Sequence, residues 1–248
     1  MPCSAPKSPE RDRCRPHFRK LALQCAAALV LGTLPAKADQ LWSVHGFGIK
    51  VGEMQVRMAQ TGETYKGSGS FRTTGLAGVL ARIHFDVSAK GTLTGDMLRP
   101  KAYKGSINTG KRKSQTTLEY STGIPRKTAG KDAPAVPIDP DRLNGAIDPM
   151  TMMWLTLRDS EAPTCVFDQT QFDGTRLTAI RLTRREDDDD DIICHGSYDR
   201  LGGYSQAELD EMSTSPLSIT YRKSGDTWRT VRVYVRTRHG PATLHRRD

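Results

Sequence analysis

"CVFDQTQFDGTRLTAIRLTRREDDDDDIICHGSY" occupies residues 165–198 and sets the fold class. Apolar and polar residues alternate on both sides of Phe172-Asp173-Gly174, a turn sequence, and again on both sides of the acidic run 186–191. Alternation with a period of two, broken by Gly and Asp, marks antiparallel strands joined by hairpins. The stretch therefore reads as a three-stranded meander: a strand starting at Cys165, a turn, "TRLTAIRLTRR", an acidic tip, and the return "IICHGSY". A bridge between Cys165 and Cys194 would join the first of these strands to the third and fix a register that Thr-rich strands specify poorly.

The same rhythm runs outward from this meander. "EMQVRMA" (53–59) sets Met54, Val56 and Met58 against Glu53, Gln55 and Arg57, and "HFDVSAK" (84–90) sets Phe85, Val87 and Ala89 on one side. "TVRVYVR" (230–236) opposes Val231, Val233 and Val235 to Arg232, Tyr234 and Arg236. Turn signals at Gly52, Gly62, Gly95, Gly110 and Gly225 separate such segments. The expectation is a mainly β protein of about nine or ten strands, forming a single antiparallel curled sheet or partly open β-barrel. The Pro-rich "GIPRKTAGKDAPAVPIDP" (123–140) reads as a loop.

One segment departs from the period of two. "DPMTMMWLTLRDS" (148–160) begins with an Asp cap and a Pro at the first helical position. Met150, Met153, Trp154 and Leu157 follow at helical spacing. One helix packed against the sheet, across its open side, is expected. "GLAGVLARI" (75–83) reads as a second short apolar turn and as a further helix candidate.

The other three cysteines, Cys3, Cys14 and Cys25, fall at the N-terminus. There Arg11, Arg13, Arg15, Arg19 and Lys20 precede an uncharged apolar stretch at 21–34, followed by Ala36-Lys37-Ala38. This is the pattern of a signal peptide over residues 1–38, with cleavage between Ala38 and Asp39. The apolar stretch is shorter than the roughly 20 residues a spanning helix needs, so the processed chain is not expected to be an integral membrane protein. A single β-rich domain over 39–248, located in the periplasm, follows. Its two cysteines, Cys165 and Cys194, are then expected to form a disulfide. A zinc site would want more ligands at metal spacing, and only His195 adjoins either cysteine.

Export also rescales the charge. The chain carries 37 Lys+Arg and 28 Asp+Glu, for a net +9, but residues 1–38 hold seven of the basic and two of the acidic residues. The remainder is near +4, which argues against a nucleic-acid partner and leaves anionic lipid or polysaccharide as the more natural electrostatic one. Trp228 and Tyr234, interleaved with Arg229, Arg232, Arg236 and Arg238, read either as a strand with a basic outer face or as an anionic-ligand face.

Several pieces resemble a family of bacterial exported proteins known as domain of unknown function 3108. They are "LWSVHGFGIKVGEMQV", "TTGLAGVL", "LRPKAYKGS", "DPMTMMWL", "CVFDQTQFDGTRLTAIRL" and "CHGSYDRLGGYS". The resemblance runs over most of residues 40–235 and implies a periplasmic antiparallel β protein with a helix against it. It implies no catalytic residues.

Chemistry-bearing motifs are absent from the sequence. The histidines His45, His84, His195, His239 and His245 show no H-E-x-x-H or H-x-H spacing, and no Gly-rich nucleotide loop occurs. "GSGS" (67–70) lacks the strand-turn-helix setting of a nucleophile elbow. His84 beside Asp86 and His195 near Tyr198 are pocket candidates, or else surface or core positions. Residues 186–191 could offer oxygens to calcium but lack the spacing and the Gly turn of a calcium loop, so a solvated hairpin tip near Arg184 and Arg185 is preferred. No catalytic residue, metal or cofactor is expected. The favoured function is a non-enzymatic binding or carrier module for an apolar or amphipathic ligand, such as a lipid, lined by Met54, Met58, Met150, Met153 and Trp154. The same residues could instead be plain core. An envelope structural or interaction protein is the alternative, and a hydrolase with an unrecognised site the third reading.

Overall fold

A computed structural model describes residues 36–80, 82–95, 97–110 and 113–248. The expected signal peptide therefore lies outside the described residues, apart from Ala36, Lys37 and Ala38. Two antiparallel meanders make up the fold. The first comprises β1 (Ala36–Gly46), β2 (Ile49–Thr61), β3 (Thr64–Thr73), β4 (His84–Thr94), β5 (Met97–Asn108), β6 (Lys113–Ser121) and β7 (Ile124–Ala129). The second comprises β8 (Phe167–Phe172), β9 (Leu177–Asp188), β10 (Asp191–Gly202), β11 (Thr214–Ser224), β12 (Thr227–Thr237) and β13 (Gly240–Arg246). Pairing of β1 with β13, Trp42 opposite Arg246 and Val44 opposite Leu244, fuses them into one 13-stranded sheet in the order β7-β6-β5-β4-β3-β2-β1-β13-β12-β11-β10-β9-β8.

A sheet this long curls to bury its inner face. The turn between β8 and β9 comes round onto β6, where a Cβ on Gly174 would stand 2.5 Å from Thr116 Cγ2. One core cluster accordingly draws Trp42, Val56, Tyr65, Tyr103 and Leu118 from the first meander and Phe172 and Leu177 from the second. The result is a nearly closed barrel whose free edges, β7 and β8, are neighbours in sequence. The chain between them crosses the opening. Ile147 bridges Gln171, with its N–H donating to the Thr170 carbonyl (3.0 Å) and its carbonyl accepting from the Phe172 N–H (2.9 Å). An otherwise bare sheet edge is thereby covered.

Thirteen strands replace the nine or ten expected. The residues 124–129, assigned above to a loop, form β7: Pro125 is tolerated because an edge strand needs to donate on one side only. The sequence GPATLHR of β13 has too few apolar residues to show alternation, and its place is set by pairing with β1 and β12. The expected helix is α2 (Pro149–Leu157); the candidate at 75–83 forms α1 (Gly75–Leu80), and α3 (Gln206–Glu211) is added beyond both. In α3 a reciprocal cap links Ser205 and Glu208.

The valine face of β12 is also revised. A bulge between Thr220 and Tyr221 turns Thr230 inward in place of Val231. Thr230 is wholly buried, and its hydroxyl reaches the carbonyls of Thr156 (3.5 Å) and Arg158 (3.4 Å).

The C-terminal end of α2 is held by a similar device. Gln40 and Trp42, two apart on β1, share the inner face and are both buried. Gln40 Nε2 donates to the Leu157 carbonyl (3.0 Å), and its Oε1 accepts from Trp42 Nε1 (3.2 Å). One amide thus serves a helix-terminal carbonyl and a core indole that would otherwise be unpaired. Gln40→Leu should cost about 2 kcal/mol, the desolvation of the orphaned groups partly offset by added apolar burial. Urea unfolding against the parent protein measures it.

Candidate functional site

The inside of the barrel is built around α2, and two glycines make the room. On β3, Tyr65, Gly67 and Gly69 face inward. A Cβ on Gly67 would stand 3.1 Å from Met150 Cε, and one on Gly69 would stand 3.0 Å from Met153 Sδ. The "GSGS" stretch is therefore a seat for methionines, which fill irregular space well.

The expected apolar stripe is only partly what α2 buries. Met150 and Leu157 are in the core, but Thr151, Met152 and Thr156 are buried as well, while Met153 and Trp154 are half-buried. A helix inside a barrel meets protein on most of its circumference, so a stripe understates what it buries.

Enclosure forces its polar groups to find partners. Asp148 is wholly buried and caps α2: Oδ1 accepts from the Thr151 N–H (2.9 Å) and Oδ2 from the Thr151 hydroxyl (2.7 Å). The Thr151 hydroxyl in turn lies 2.9 Å from the Tyr65 hydroxyl. Burial pushes the Asp148 carboxyl up to about 6, against the bonds from Thr151 that favour its charged form. Burial likewise raises the phenols of Tyr65, Tyr103 and Tyr120, and the Asp148 charge adds to each shift. The Tyr120 hydroxyl is buried and has no partner among the described residues.

Beside α2 lies a cavity of about 260 Å³. Phe85, Val87, Tyr103, Ile107 and Met153 form its apolar wall, and Ser114, Thr116, Gln171 and Thr175 its polar side. Asp173 also lines it, but Oδ1 is occupied in its own turn by the N–H groups of Thr175 (2.8 Å) and Arg176 (2.8 Å) and the Thr175 hydroxyl (2.9 Å). Small-ligand pockets span roughly 300–1,000 Å³, so this one would take a small molecule or the end of a chain.

Of the residues expected to line a ligand, Met54, Met58 and Met150 lie within the packed core, and Trp154 packs against it. Met153 alone of the five reaches the cavity. The other wall residues escaped the sequence reading, although Phe85 and Val87 had been placed on one strand face. Tyr65, Tyr103 and Tyr120 also escaped it; their sign was three tyrosines on strands otherwise sparing in aromatics.

Cys165 and Cys194 form a disulfide, their Cα atoms 4.8 Å apart. Cys165 precedes β8 rather than starting it, so the bridge pins the connection from α2 onto the inner face of β10. It sits in a second core with Leu182, Ile192, Leu217, Ile219 and Tyr221.

Histidines and charge runs are dispersed. His84 lies on the polar β5–β6–β7 side, and His195 Nε2 meets Glu186 Oε2 at 3.0 Å. Among the described residues, no group of three or more His, Cys, Asp or Glu side chains could hold a metal ion. In the acidic run, Glu186 pairs with Arg184 (2.9 Å), Asp187 with Arg185 (2.7 Å) and Asp191 with Arg222 (2.7 Å). Successive strand residues face opposite ways, so these carboxylates diverge. Trp228 is turned into the second core, and Arg229 is engaged by Asp248 (3.4 Å), leaving no ladder of free rings and cations for bases. Among the described residues no helix is long and apolar enough to cross a membrane.

Fold and cavity together define a barrel-like antiparallel β protein with a helix across its interior, compatible with a binding module. The chain belongs to the family described as "Protein of unknown function (DUF3108)", whose model matches residues 41–190. A solved structure it resembles is the β-barrel-like protein of domain of unknown function DUF1849 from Brucella abortus, at 13% identity and a TM-score of 0.40, over 87% of this chain and 98% of that one. No curated protein matches.

Proposed function

We propose that this protein is a non-enzymatic binding module that takes a small apolar ligand, or the apolar end of an amphipathic one such as a lipid, into the cavity beside α2. The observation that carries this is the composition of that cavity: an apolar wall of Phe85, Val87, Ile107 and Met153 facing hydroxyl and amide groups of Ser114, Thr116 and Gln171. Such a wall supplies affinity and such a polar side orients a ligand. Met153 adapts to the shape of the guest. The module is residues 39–248, exported to the periplasm with cleavage between Ala38 and Asp39. The disulfide supports that compartment. Asp39, bonded to Gln55 (3.1 Å) and Arg57 (3.1 Å), would then begin the processed chain.

The test is native mass spectrometry of gently purified protein, followed by solvent extraction of what accompanies it, and titration with a fluorescent fatty acid. Ser114→Trp places an indole against the cavity and should weaken the probe at least tenfold with the unfolding midpoint unchanged. Equal probe affinity in parent and variant would remove the cavity from the proposal.

A further inference from the structure

Antiparallel pairing gathers alternate turns at one end of the sheet. The turns β12–β13, β1–β2 and β5–β6 and the β3–β4 connection therefore share an end. They form a continuous rim: the Phe47 N–H donates to the Pro241 carbonyl (3.2 Å), the Thr74 N–H donates to the Val51 carbonyl (3.0 Å), and Gly110 lies against the Arg82 carbonyl.

The sequence of this rim is one-sided. The stretches 46–51, 73–84, 107–113 and 236–241 contain no Asp or Glu, but they contain Lys50, Arg82, Lys111, Arg112, Lys113, Arg236 and Arg238. Lys111 and Arg112 lie outside the described residues. Two of the cations have acidic neighbours beyond these stretches, Lys50 with Glu53 (2.6 Å) and Arg238 with Glu211 (3.6 Å). The opposite end carries Glu63, the run Glu186 to Asp191, Asp226 and Asp248. Both ends carry both signs: α3 brings Glu208, Asp210 and Glu211 to the basic end, and Arg184, Arg185, Arg222 and Arg246 pair with acids at the other, so the basic character belongs to this rim rather than to a whole end of the barrel.

Apolar side chains stand on the basic end. Phe47 and Ile49, flanking Gly48 in the β1–β2 turn, are each 71% exposed. Phe47 has a φ of 52°, a left-handed conformation that favours Gly or Asn in such a turn and costs an aromatic residue. Its ring lies over the backbone of Gly240, where a Cβ would come within 2.3 Å. This aromatic ring, held at a tip in a conformation it disfavours and outside any core, rests on the Gly240 backbone and leaves most of its surface to solvent.

We infer that this end docks on an anionic lipid bilayer, Phe47 and Ile49 entering the interface while Lys50, Arg82, Lys113 and Arg236 meet the headgroups. The charge pattern selects this occupant: four neighbouring connections that carry basic side chains and no Asp or Glu are drawn to a negative surface. Apolar insertion and basic attraction together form the paired signal that stable peripheral binding requires. Ile107, on the wall of the cavity beside α2, is 39% exposed and lies at the same end, so a docked molecule brings that cavity toward the bilayer.

The measurement is sedimentation of the purified processed protein, residues 39–248, with vesicles of phosphatidylcholine alone or with 30 mol% phosphatidylglycerol, at low and physiological salt. Binding to the anionic vesicles at least tenfold tighter than to neutral ones is expected, weakening with salt. Phe47→Ser with Ile49→Ser should lower it at least tenfold, and Lys50→Glu with Arg82→Glu should abolish the preference for anionic lipid. Val87→Trp, a change on the cavity wall three residues inside the start of β4, should lose the fatty-acid probe and bind vesicles as the parent does, so docking and cavity occupancy fail separately. Equal binding to both vesicles, full binding by the tip variant, or salt-sensitive self-association in place of vesicle binding would overturn the assignment; the last would mean the acidic end of a second copy occupies this rim.

Discussion

Replacing Cys165 and Cys194 together by alanine is expected to destabilise the protein by roughly 3–4 kcal/mol in the chain-entropy model. The bridged residues are 29 apart, and the loop they close includes β8 and β9. Its effect goes beyond the unfolded chain. Over the second core the connection from α2 to β8 is otherwise held by polar contacts: Ser160 and Trp228 exchange backbone hydrogen bonds (3.0 and 2.7 Å), Asp159 pairs with Arg246 and with Arg229 (3.9 Å), and Val166, beside Cys165, is 90% exposed. That core is small, so losing the bridge also loosens the cover over Ile192, Leu217 and Ile219. Urea unfolding of the double variant should show a lower midpoint, and the parent protein in reductant should reproduce it. A parent protein fully reduced by thiol titration yet unchanged in midpoint would show that apolar contacts alone hold the connection. Without reductant, the processed chain should present no free thiol.

The two cysteines were legible as a pair because they alone lie beyond residue 38; their placement was not. Sequence alternation put Cys165 on a strand, whereas it lies in a connection whose position depends on where α2 sits. The alternation itself was reliable wherever a strand has one wet face, as in β2, where Met54, Val56 and Met58 face inward. It failed at β7 and β13, whose pairing is set by neighbours rather than by their own side chains, and at β12, where a bulge exchanges Val231 for Thr230. The helix was legible from its Asp-Pro start. Its enclosure was not, because that depends on Gly67 and Gly69, about 80 residues earlier in the chain, leaving space for Met150 and Met153. The cavity wall draws on β4, β5, β6 and α2, which no local pattern connects. The basic end was invisible for a similar reason: four short stretches become one surface only when the order of the strands is known.

The buried cap of α2 makes stability depend on pH in the mildly acidic range, and the sign follows from burial. Asp148 stands at about 6 when folded and has an ordinary value of 3.8. Below about pH 4 the carboxyl is protonated in both states and favours neither. Between pH 4 and 6 the unfolded chain releases the proton while the folded one keeps it, so stability falls as pH rises. Above about 6 the whole cost is in place, roughly 3 kcal/mol for a shift of about two units. Asp148→Asn removes the titration and keeps an oxygen to accept from the Thr151 N–H, since Asn is as good a cap as Asp. The Thr151 and Tyr65 hydroxyls can reverse their bond to meet the new amide. Carboxylates stabilised by arginines, such as Glu186 by Arg184, titrate in both proteins and cancel in the comparison. Subtracting the unfolding free energy of the Asn variant from that of the parent should therefore give a difference that declines by about 3 kcal/mol from pH 4 to pH 7. A flat difference would place Asp148 near its ordinary value and water beside it. The Tyr120 hydroxyl, buried without a partner among the described residues, would then be the first place to look for that water, because a polar pocket in a barrel is where internal solvent is retained.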